Sequence, residues 1–483
     1  MDKKKVTVAC GYTHLDLDVP QHSMIVDDLP REKSPSLSDP VSACREALET
    51  PHGMERISDL VKKGSKVTIA INNHFGPSAI VAPLVLDELK RAGVSDTDIT
   101  FMSAAGAWPK LTREQFLMSG PPPCPLLPPD IVDRFWPPGT VYPRGIRSHD
   151  AADPKELVFL GYTNLGDFVE CNRVVAESDL LIYIGWGAWP LGLWGGYGGA
   201  GVVIGLGSAR SIGSHHSWGV VGHPNSSHGD PRNHFYRRHK EAIMQHIEDK
   251  TGKQVFYVDG TPNLYGQWAA FHAGHWKAIQ ELEWAISDKE KIATIPHQAD
   301  VVIKGGPMVG SYDLVRNPIA SMAEATAQLK CYVGQKPPLR EGGVIIHLTP
   351  VDGTIEPRRI SDREVIDLYR KTGYNSQELT KYEDDFYTRP EYLHKYMHGH
   401  AFHPIHPFYL IYGYVQYALD HASKIISVGA GSPAAASEVG YRPARNFEEA
   451  WRMAEQIVGK DPNVLVLPGT GKRVMKVVLK VGN

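Results

Sequence analysis

The stretch 183–218 holds the residues best suited to chemistry. Its glycines are concentrated in 195–201, and glycine lets backbone N–H groups come close to an anion. The apolar run 202–206 can begin a helix whose N-terminus faces that anion. The stretch ends near His215 and His216, two imidazoles that are able to bind a metal. This pattern indicates a phosphorylated ligand near a metal, and the alternative is a glycine-rich turn under tryptophans with a solvated histidine pair.

Composition excludes several classes of function. The chain has 483 residues, a formal net charge of −3 and 42% hydrophobic residues, which is typical of a globular protein of one to three domains. This charge gives no indication of nucleic acid or of an anionic membrane surface as a partner, and no apolar run has the length of a membrane span. Five cysteines without a CxxC pair favour neither a disulfide framework nor a zinc knuckle. We expect a cytoplasmic protein that acts on a small molecule and is able to form a homo-oligomer.

Alternating strands and helices indicate how these residues are positioned. Strand 66–71, helix 80–91 and strand 98–102 follow one another, an order typical of parallel sheets with right-handed crossovers. Ligands bind at the carboxyl ends of the strands in such sheets. The loops around His74 and Trp108 are therefore expected beside the glycine-rich stretch.

The other elements of the first half have less regular patterns. Residues 6–9 are predicted as a short strand, and the Pro- and Ser-containing residues 20–40 as a loop. A helix is predicted over 233–250 and a strand over 255–258. The aromatic-rich residues 267–287 are predicted to form one long helix.

A second α/β unit is predicted to begin at the apolar segment 299–303, with a helix at 319–329. The fold class is therefore α/β, with two domains of mostly parallel sheet and the active site in the cleft between them. The N-terminal domain is assigned to residues 1–293, with 470–483 as a segment able to rejoin it. The C-terminal domain is assigned to residues 294–469.

Several segments, taken in order, resemble one known family. Residues 172–179, NRVVAESD, are similar to an NRxVAEAD run, and the glycine loop is similar to a GFSGGGK loop. Similar segments lie at 67–77, 149–161, 229–231, 271–275 and 300–306. Together these segments resemble the lactate racemases and their homologues, the nickel-pincer-nucleotide enzymes, over nearly the whole chain.

The resemblance implies a pyridinium-based nucleotide that carries nickel in a sulfur and carbon pincer. In that family, a lysine of the glycine loop tethers the nucleotide and a later histidine completes the nickel sphere. Two further histidines act as acid and base while a hydride moves between substrate and cofactor. Here the tethering lysine falls at Val202, and the other replaced positions are Gly76, Trp108, Gly192 and Ser321.

Without that lysine, the resemblance implies a cofactor that is held without a covalent link. Backbone N–H groups of the loop and the start of the following helix can bind its phosphate, and a tryptophan can stack on its ring. The residues expected to do so are Gly198, Gly199, Ala200, Gly201 and Trp189.

Five more residues are candidates for metal binding and catalysis. The counterpart of the nickel-binding histidine is His216, with His215 as the alternative. His74 can act as a general base or be a hydrogen-bonded loop residue. Arg210 and Arg316 are the basic residues nearest the mapped site, where each can bind a carboxylate or be a surface arginine.

The resemblance predicts an isomerase, a racemase or epimerase that acts on a hydroxyl-bearing carbon of a 2-hydroxy acid or related substrate. Tryptophans near the glycine loop would line an apolar, aromatic pocket or belong to the core. Lactate itself is expected to be a poor substrate, because several charged or proton-transferring positions are replaced. The alternatives are a catalytically silent ligand-binding paralogue and an enzyme of the same fold that uses another metal or none.

Overall fold

The computed structural model describes residues 2–33, 36–72, 76–118, 125–140, 145–187, 201–226, 229–307, 315–327, 329–471 and 477–482. Within these ranges, helices and parallel strands alternate in both halves of the chain. The predicted α/β class with mostly parallel sheets is therefore confirmed. A search of the described helices found none with the length and apolar character needed to cross a membrane.

The strands of the described residues are listed in chain order. They are β1 (Lys3–Gly11), β2 (Thr13–Pro20), β3 (Met24–Ile25), β4 (Val67–Asn72), β5 (Ile99–Ala104), β6 (Ile146–Ser148), β7 (Leu157–Tyr162), β8 (Phe168–Asn172), β9 (Leu180–Trp186), β10 (Phe256–Pro262), β11 (Trp268–Gly274), β12 (Ile292–Ile295), β13 (Ala299–Pro307), β14 (Tyr332–Val333), β15 (Leu339–Leu348), β16 (Lys424–Val428), β17 (Arg442–Ala444), β18 (Val464–Leu467) and β19 (Val478–Val481).

The α-helices of the described residues follow the same order. They are α1 (Pro40–Glu49), α2 (Ile57–Leu60), α3 (Ser78–Arg91), α4 (Arg113–Leu117), α5 (Pro129–Phe135), α6 (Val174–Glu177), α7 (Gly201–Gly205), α8 (Ala209–His215), α9 (Trp218–Val221), α10 (Phe235–Thr251), α11 (Trp276–Lys291), α12 (Pro318–Ala327), α13 (Asp362–Lys371), α14 (Ser376–Leu379), α15 (Glu383–Thr388), α16 (Pro390–Met397), α17 (His406–Leu410), α18 (Gln416–His421), α19 (Pro433–Ser437) and α20 (Phe447–Val458). A π-helical turn, Ile411–Val415, joins α17 to α18.

The sheet of the first half has the described order β11-β10-β9-β4-β5-β6. Strands β10, β9, β4, β5 and β6 pair in parallel, whereas β11 returns antiparallel to β10. All six residues of β4 and all seven of β9 are buried, as expected for central strands that helices cover on both faces. The parallel pairing brings the carboxyl ends of β4, β5 and β9 to one edge of the sheet.

The sheet of the second half has the described order β17-β16-β15-β13-β1-β2, and β18 and β3 extend it from β13. Strand β1 pairs in parallel with the end of β13, and β3 pairs with β18. The first 25 residues thus belong to the sheet of the second half, whereas the sequence assigned them to the N-terminal domain. The cause is packing, because Val6, Val8 and Leu17 bury their side chains in one cluster with residues of β13, β15 and β16.

The predicted boundary between the halves falls between two different sheets. Strand β12 pairs with β19, which also pairs with β14, in a small three-stranded sheet. Strand β13 begins four residues after β12 and joins the large second sheet. Chain segment 477–482 therefore lies beside β12 and β14 in this small sheet, and the expectation that 470–483 is able to rejoin the first half stays a prediction.

One long helix was predicted where the chain forms a strand and a helix. Residues of β11 pair with β10 from Tyr257↔Gly274 to Pro262↔Trp268, and α11 begins only at Trp276. Alanines within β11 favour a helix in isolation, but cross-strand pairing overrides that weak preference. The predicted helix over 267–287 was therefore wrong in its first part.

Candidate functional site

The loops after β4, β5 and β9 leave the carboxyl edge of the first sheet, and of these three the loop after β5 is described in full. The loop after β5 contains Gly106, whose φ of +56° suits glycine. Its N–H donates to the carbonyl of Gly205 at the end of α7 (2.9 Å). A Cβ at this position would lie 2.9 Å from the Ile204 carbonyl oxygen. The loop after β5 and the helix that follows the glycine loop are thus in direct contact.

Most of the glycine loop and the loop after β4 lie outside the described residues. The predicted general base His74 and the predicted cofactor-binding residues Trp189, Gly198, Gly199 and Ala200 fall there. These assignments stay predictions.

Gly201 and Val202, in contrast, are both placed by the structure. Gly201 is the first residue of α7, and a Cβ there would lie 2.3 Å from the hydroxyl of Tyr183. Val202 is fully buried in an apolar cluster that includes Ala70 and Met102. An apolar side chain therefore occupies the tether position, and it can form no covalent link.

The histidine pair lies at the end of α8, where it is buried. Ser208 caps the helix by accepting a hydrogen bond from the N–H of Ser211 (3.1 Å), as a serine N-cap commonly does. His215 and His216 are 0% and 2% exposed. The alternative of a solvated pair is therefore wrong.

Each histidine of the pair donates from Nδ1 to a carbonyl of its own helix. His215 donates to Ser211 (2.7 Å) and His216 to Ile212 (2.9 Å). Their Nε2 atoms carry the lone pairs. Nε2 of His216 accepts from the Tyr236 hydroxyl (2.8 Å), whereas Nε2 of His215 has no hydrogen-bond partner among the described residues.

Burial keeps the imidazoles of this pair neutral. Desolvation, aided by the neighbouring His216, holds the pKa of His215 well below its ordinary value. Desolvation is the main cause that lowers the pKa of His216 to about 3, and electrostatic interactions with Lys240 and His406 contribute in the same direction. Neutral imidazole is the form that binds metals and accepts protons.

The second half of the chain contributes another histidine to the same interior. Tyr409 lies between His216 and His406, with ring centroids 5.2 Å from each. The Tyr409 hydroxyl donates to Nδ1 of His406, whose Nε2 donates to the Ala107 carbonyl (3.2 Å). His406 also meets the Trp108 ring edge-on at 6.0 Å. An imidazole from the second half thus lies beside Trp108, at the position where the family resemblance implies a missing histidine.

Backbone contacts fix these loops of the two halves together. The N–H of His403 donates to Ala107 (3.1 Å). The hydroxyl of Tyr396 donates to the Gly106 carbonyl (3.1 Å) and accepts from the N–H of Ala151 (3.0 Å). Because each of these hydrogen bonds joins a residue of the first half to one of the second half, they hold the loop after β5 against the segment that contains α16 and α17.

Helix α10 adds a lysine, a tyrosine and a histidine to this interior. Tyr236 stacks on His215 with an interplanar angle of 15°, and Lys240 places its Nζ 4.6 Å from the Tyr236 ring centroid. His234 caps the helix and is 1% exposed. Burial, with the charges of Lys240, Lys330 and Arg237, holds the pKa of His234 well below its ordinary value. We call the residues His215, His216, His234, Tyr236, Lys240, His406 and Tyr409 the histidine cluster.

The two predicted arginines lie apart from the contacts of the histidine cluster. Arg210 is exposed, and its guanidinium carbon lies 4.8 Å from the ring centroid of Phe168. Arg316 is partly exposed and donates from Nε (2.9 Å) and Nη2 (2.6 Å) to Asp352. This ion pair helps to lower the pKa of Asp352. Their proposed role in carboxylate binding stays a prediction.

Ser321, at the second-domain lysine position of the family, is fully buried in a hydroxyl network. Its Oγ lies 2.9 Å from Oγ1 of Thr349 and 3.2 Å from the hydroxyl of Tyr441. The Tyr441 hydroxyl also lies 2.7 Å from Nδ1 of His347. Burial lowers the pKa of His347 to about 3. This position therefore supplies hydroxyl groups in place of an ammonium.

A pair of buried carboxyl groups lies under the start of the glycine loop. Asp259 of β10 and Glu283 of α11 are both 0% exposed. A Cβ at Gly185 would lie 2.6 Å from Oδ1 of Asp259, and one at Gly187 would lie 2.5 Å from Cδ of Glu283. Burial raises the pKa of Asp259 to about 7, and burial together with the Asp259 charge holds that of Glu283 well above its ordinary value. At neutral pH at least one proton is shared by the pair.

Within the described residues, no group of three or more histidine, cysteine or acidic side chains is arranged to hold a metal. A metal here would need most of its donors from a bound ligand. The neutral Nε2 of His215, which is buried and lacks a partner, is a suitable single protein donor. The described residues thus fit a metal-bearing nucleotide that is held without a covalent link, and do not fit a tethered one.

Several members of the histidine cluster could not be identified from sequence patterns. Tyr236, Lys240 and His234 lie in a segment that reads as an ordinary charged helix, and only their burial distinguishes them. His406 belongs to the histidine-rich run 394–406, in which His394 and His398 have the i, i+4 spacing with which a helix can aim two imidazoles at one metal. Without a nearby carboxylate in a HExxH pattern, a structural or solvated role is expected for that pair. Their ring centroids lie 4.2 Å apart at an interplanar angle of 35°, and both residues are exposed.

Comparisons with known proteins found a matching family model and a similar curated protein. Residues 10–229 match the model of the lactate racemase N-terminal domain. A curated lactate racemase from Thermoanaerobacterium thermosaccharolyticum is 23% identical over 182 residues, 37% of this chain and 38% of that protein. The chain therefore spans well under half the length of this curated relative in that match.

Two solved structures are similar over nearly the whole fold. The lactate racemase apoprotein from T. thermosaccharolyticum superposes with a TM-score of 0.68 and 19% identity, covering 99% of this chain and 100% of that one. A protein from Thermotoga maritima superposes with a TM-score of 0.55 and 14% identity, covering 94% and 100%. At these identities the superpositions establish the fold alone.

Proposed function

We propose that this chain is a divergent relative of the lactate racemases and an isomerase, a racemase or epimerase that acts on a hydroxyl-bearing carbon. The substrate class is a 2-hydroxy acid or a related compound. The observation that carries the proposal is that buried imidazoles from both halves of the chain meet around Tyr409. A family relative that had lost all chemistry would have little reason to keep this polar interior, because burying polar groups costs free energy.

Inversion at such a carbon needs a base for the hydroxyl proton and an acceptor for the hydrogen on carbon. The lone pairs on Nδ1 of His406 and Nε2 of His216 each accept from a tyrosine hydroxyl. A substrate hydroxyl that took the place of either tyrosine would donate to the same nitrogen. His406 is the preferred base, because its Nε2 is fixed by Ala107 and its tautomer is thereby set.

We propose a nickel-pincer nucleotide as the cofactor, held without a covalent link. Chemically, such a cofactor supplies a reversible acceptor for the hydride of the substrate C–H bond. The glycines that end at Gly201 would bind the phosphate through backbone N–H groups, and Nε2 of His215 or His216 would bind the metal. Because Nε2 of His216 already accepts from Tyr236, His215 needs the smaller rearrangement. Val202 excludes a thioamide link at its position.

The cofactor proposal is tested by mass spectrometry of protein made in a host that has the pincer biosynthesis genes. We expect a cofactor mass in the native spectrum that is absent after denaturation, and nickel that is lost when His215 and His216 are both changed to Ala. The matched control changes the exposed pair His394 and His398 to Ala. A cofactor mass that survives denaturation, or nickel content unchanged in the first variant, contradicts this assignment.

The reaction is tested separately by incubating the loaded protein with a panel of single-enantiomer 2-hydroxy acids and resolving the products by chiral chromatography. We expect inversion of at least one member, weak or no turnover of lactate, and a rate about 10²–10⁴-fold lower for His406→Asn. Loaded protein that inverts no member of a broad panel would favour the ligand-binding paralogue instead. Robust turnover of lactate would contradict the expected substrate preference.

A further inference from the structure

Lys240 differs from the other buried lysines of the described chain. Its side chain is fully buried, and its Nζ has no hydrogen-bond partner among the described residues. Lys304 donates to Glu324 (2.9 Å), Lys330 to the Gly413 carbonyl (2.7 Å) and Lys291 to Ser287 (3.2 Å). An ammonium has three N–H donors. Leaving all of them unpaired in an apolar interior is strongly unfavourable, because a buried charge without a partner loses its hydration.

Among the described residues, no carboxylate forms an ion pair with the Lys240 amine. The Tyr236 ring lies close to it, with its centroid 4.6 Å from Nζ. Glu241, the next residue, pairs with Arg237 (3.0 Å). Burial, followed by the charge of Arg237, accordingly holds the pKa of Lys240 well below its ordinary value. The group in this interior is therefore a neutral amine, and a neutral amine is a nucleophile.

The histidine cluster adds polar groups around this amine without adding negative charge. The Tyr236 ring contacts the Lys240 amine and also stacks on the His215 ring, at 5.8 Å between centroids. The imidazoles of His215 and His234 are neutral for the reasons given above. Such surroundings suit a small polar molecule whose reactive group is itself uncharged.

We propose that Lys240 is a carbonyl-condensing residue, whose amine forms an imine with a small aldehyde or ketone. The amine lone pair forms a bond to the carbonyl carbon, and one amine proton moves to the former carbonyl oxygen. The resulting carbinolamine loses that hydroxyl together with the second amine proton as water, which leaves a C=N bond. Atoms and charge balance without an oxidant, a reductant or a metal. This activity does not depend on the racemase proposal.

The test uses the purified full chain, pyruvate as a ketone probe, glycolaldehyde as an aldehyde probe, and cyanoborohydride to reduce any imine to a stable secondary amine. At pH 6.5 an ordinary lysine is only about 10⁻⁴ neutral. We therefore expect peptide mapping to find Lys240 labelled at least about tenfold faster than any exposed lysine.

Two variants and a matched control complete the design. Lys240→Arg and Lys240→Met should lose the fast adduct, whereas Lys250→Arg should keep it, because Lys250 is an exposed residue of the same helix. Circular dichroism checks that each variant is folded. If neither Lys240 variant folds, site mapping in the wild-type protein decides alone. Absence of an adduct with both probes, or labelling spread evenly over the surface lysines, overturns the proposal.

Discussion

The substitution His216→Asn provides a direct test of the buried, neutral state of the histidine pair. His216 is fully buried, and burial lowers its pKa from an ordinary 6.5 to about 3. In the unfolded chain the imidazole takes up a proton near pH 6.5, but in the folded chain it does so only near pH 3. Between these values the unfolded state binds more protons, so the wild-type protein loses stability as the pH falls.

The size of the effect follows from the same two values. Each pH unit inside the window changes the free energy of unfolding by about 1.4 kcal/mol. From pH 7 to pH 5, the contribution of His216 should fall by about 2 kcal/mol, since an imidazole of ordinary pKa is nearly neutral at the first pH and nearly fully protonated at the second. Asparagine does not titrate in this range, so the difference in stability between wild type and variant should move by that amount.

The assay is urea unfolding of both proteins at pH 7, 6 and 5 at constant ionic strength. Fluorescence and circular dichroism should give coincident transitions, so that a single free energy describes the process. Other titrating groups are common to both proteins and cancel in the difference. The exposed His398, at the end of another helix, provides the matched control for replacing a histidine by asparagine, His398→Asn. A difference for His216→Asn that stays flat would refute the reasoning.

Three further predictions follow from other contacts. Asp259→Asn removes a carboxyl group whose pKa is raised by burial from 3.8 to about 7. The stability of this variant, measured by urea unfolding, should therefore rise relative to that of the wild type as the pH increases from 4 to 7, and then level off. Gly201→Ala should lower the free energy of unfolding by about 1–3 kcal/mol, because the added Cβ would lie 2.3 Å from the Tyr183 ring. The control Gly219→Ala adds a Cβ in open space and should change the free energy of unfolding little. Tyr396→Phe removes the two hydrogen bonds that the Tyr396 hydroxyl makes with the first half, and should lower the free energy of unfolding by about 1–3 kcal/mol in the same assay.

Much of the fold was accessible from local sequence patterns. The apolar run 66–71 was predicted as a strand and forms β4, and the helix predicted over 80–91 corresponds to α3. These elements have strong periodicity and clear end signals such as Gly93. Strand β2 was not predicted, because its exposed polar residues resemble a loop and only pairing with β1 makes it a strand. Local patterns thus fail where a distant partner decides the structure.

The candidate site was less accessible for the same reason. His215 and His216 stood out by their position after the glycine loop, and both lie in the histidine cluster. Lys240 and His406 could not be singled out, because their importance depends on burial against a segment far away in the chain. The i, i+4 spacing of His394 and His398 suits a shared metal, but a structural or solvated role was expected for them, and both are exposed. Spacing reports which side chains share a helix face, but not which face the rest of the protein covers.

The pairing of β1 and β3 with late strands has a consequence for synthesis on the ribosome. Cys10 pairs with Gly306, and Met24 with Leu465. At typical translation rates, β1 waits on the order of 15–60 s for β13 to emerge. During that time, the hairpin of β1 and β2 has an edge that is able to pair with other nascent chains. Charges at Lys5 and Asp18, which face each other across the hairpin, would discourage such pairing, so the polar character of this hairpin protects the chain before its own partner strands exist.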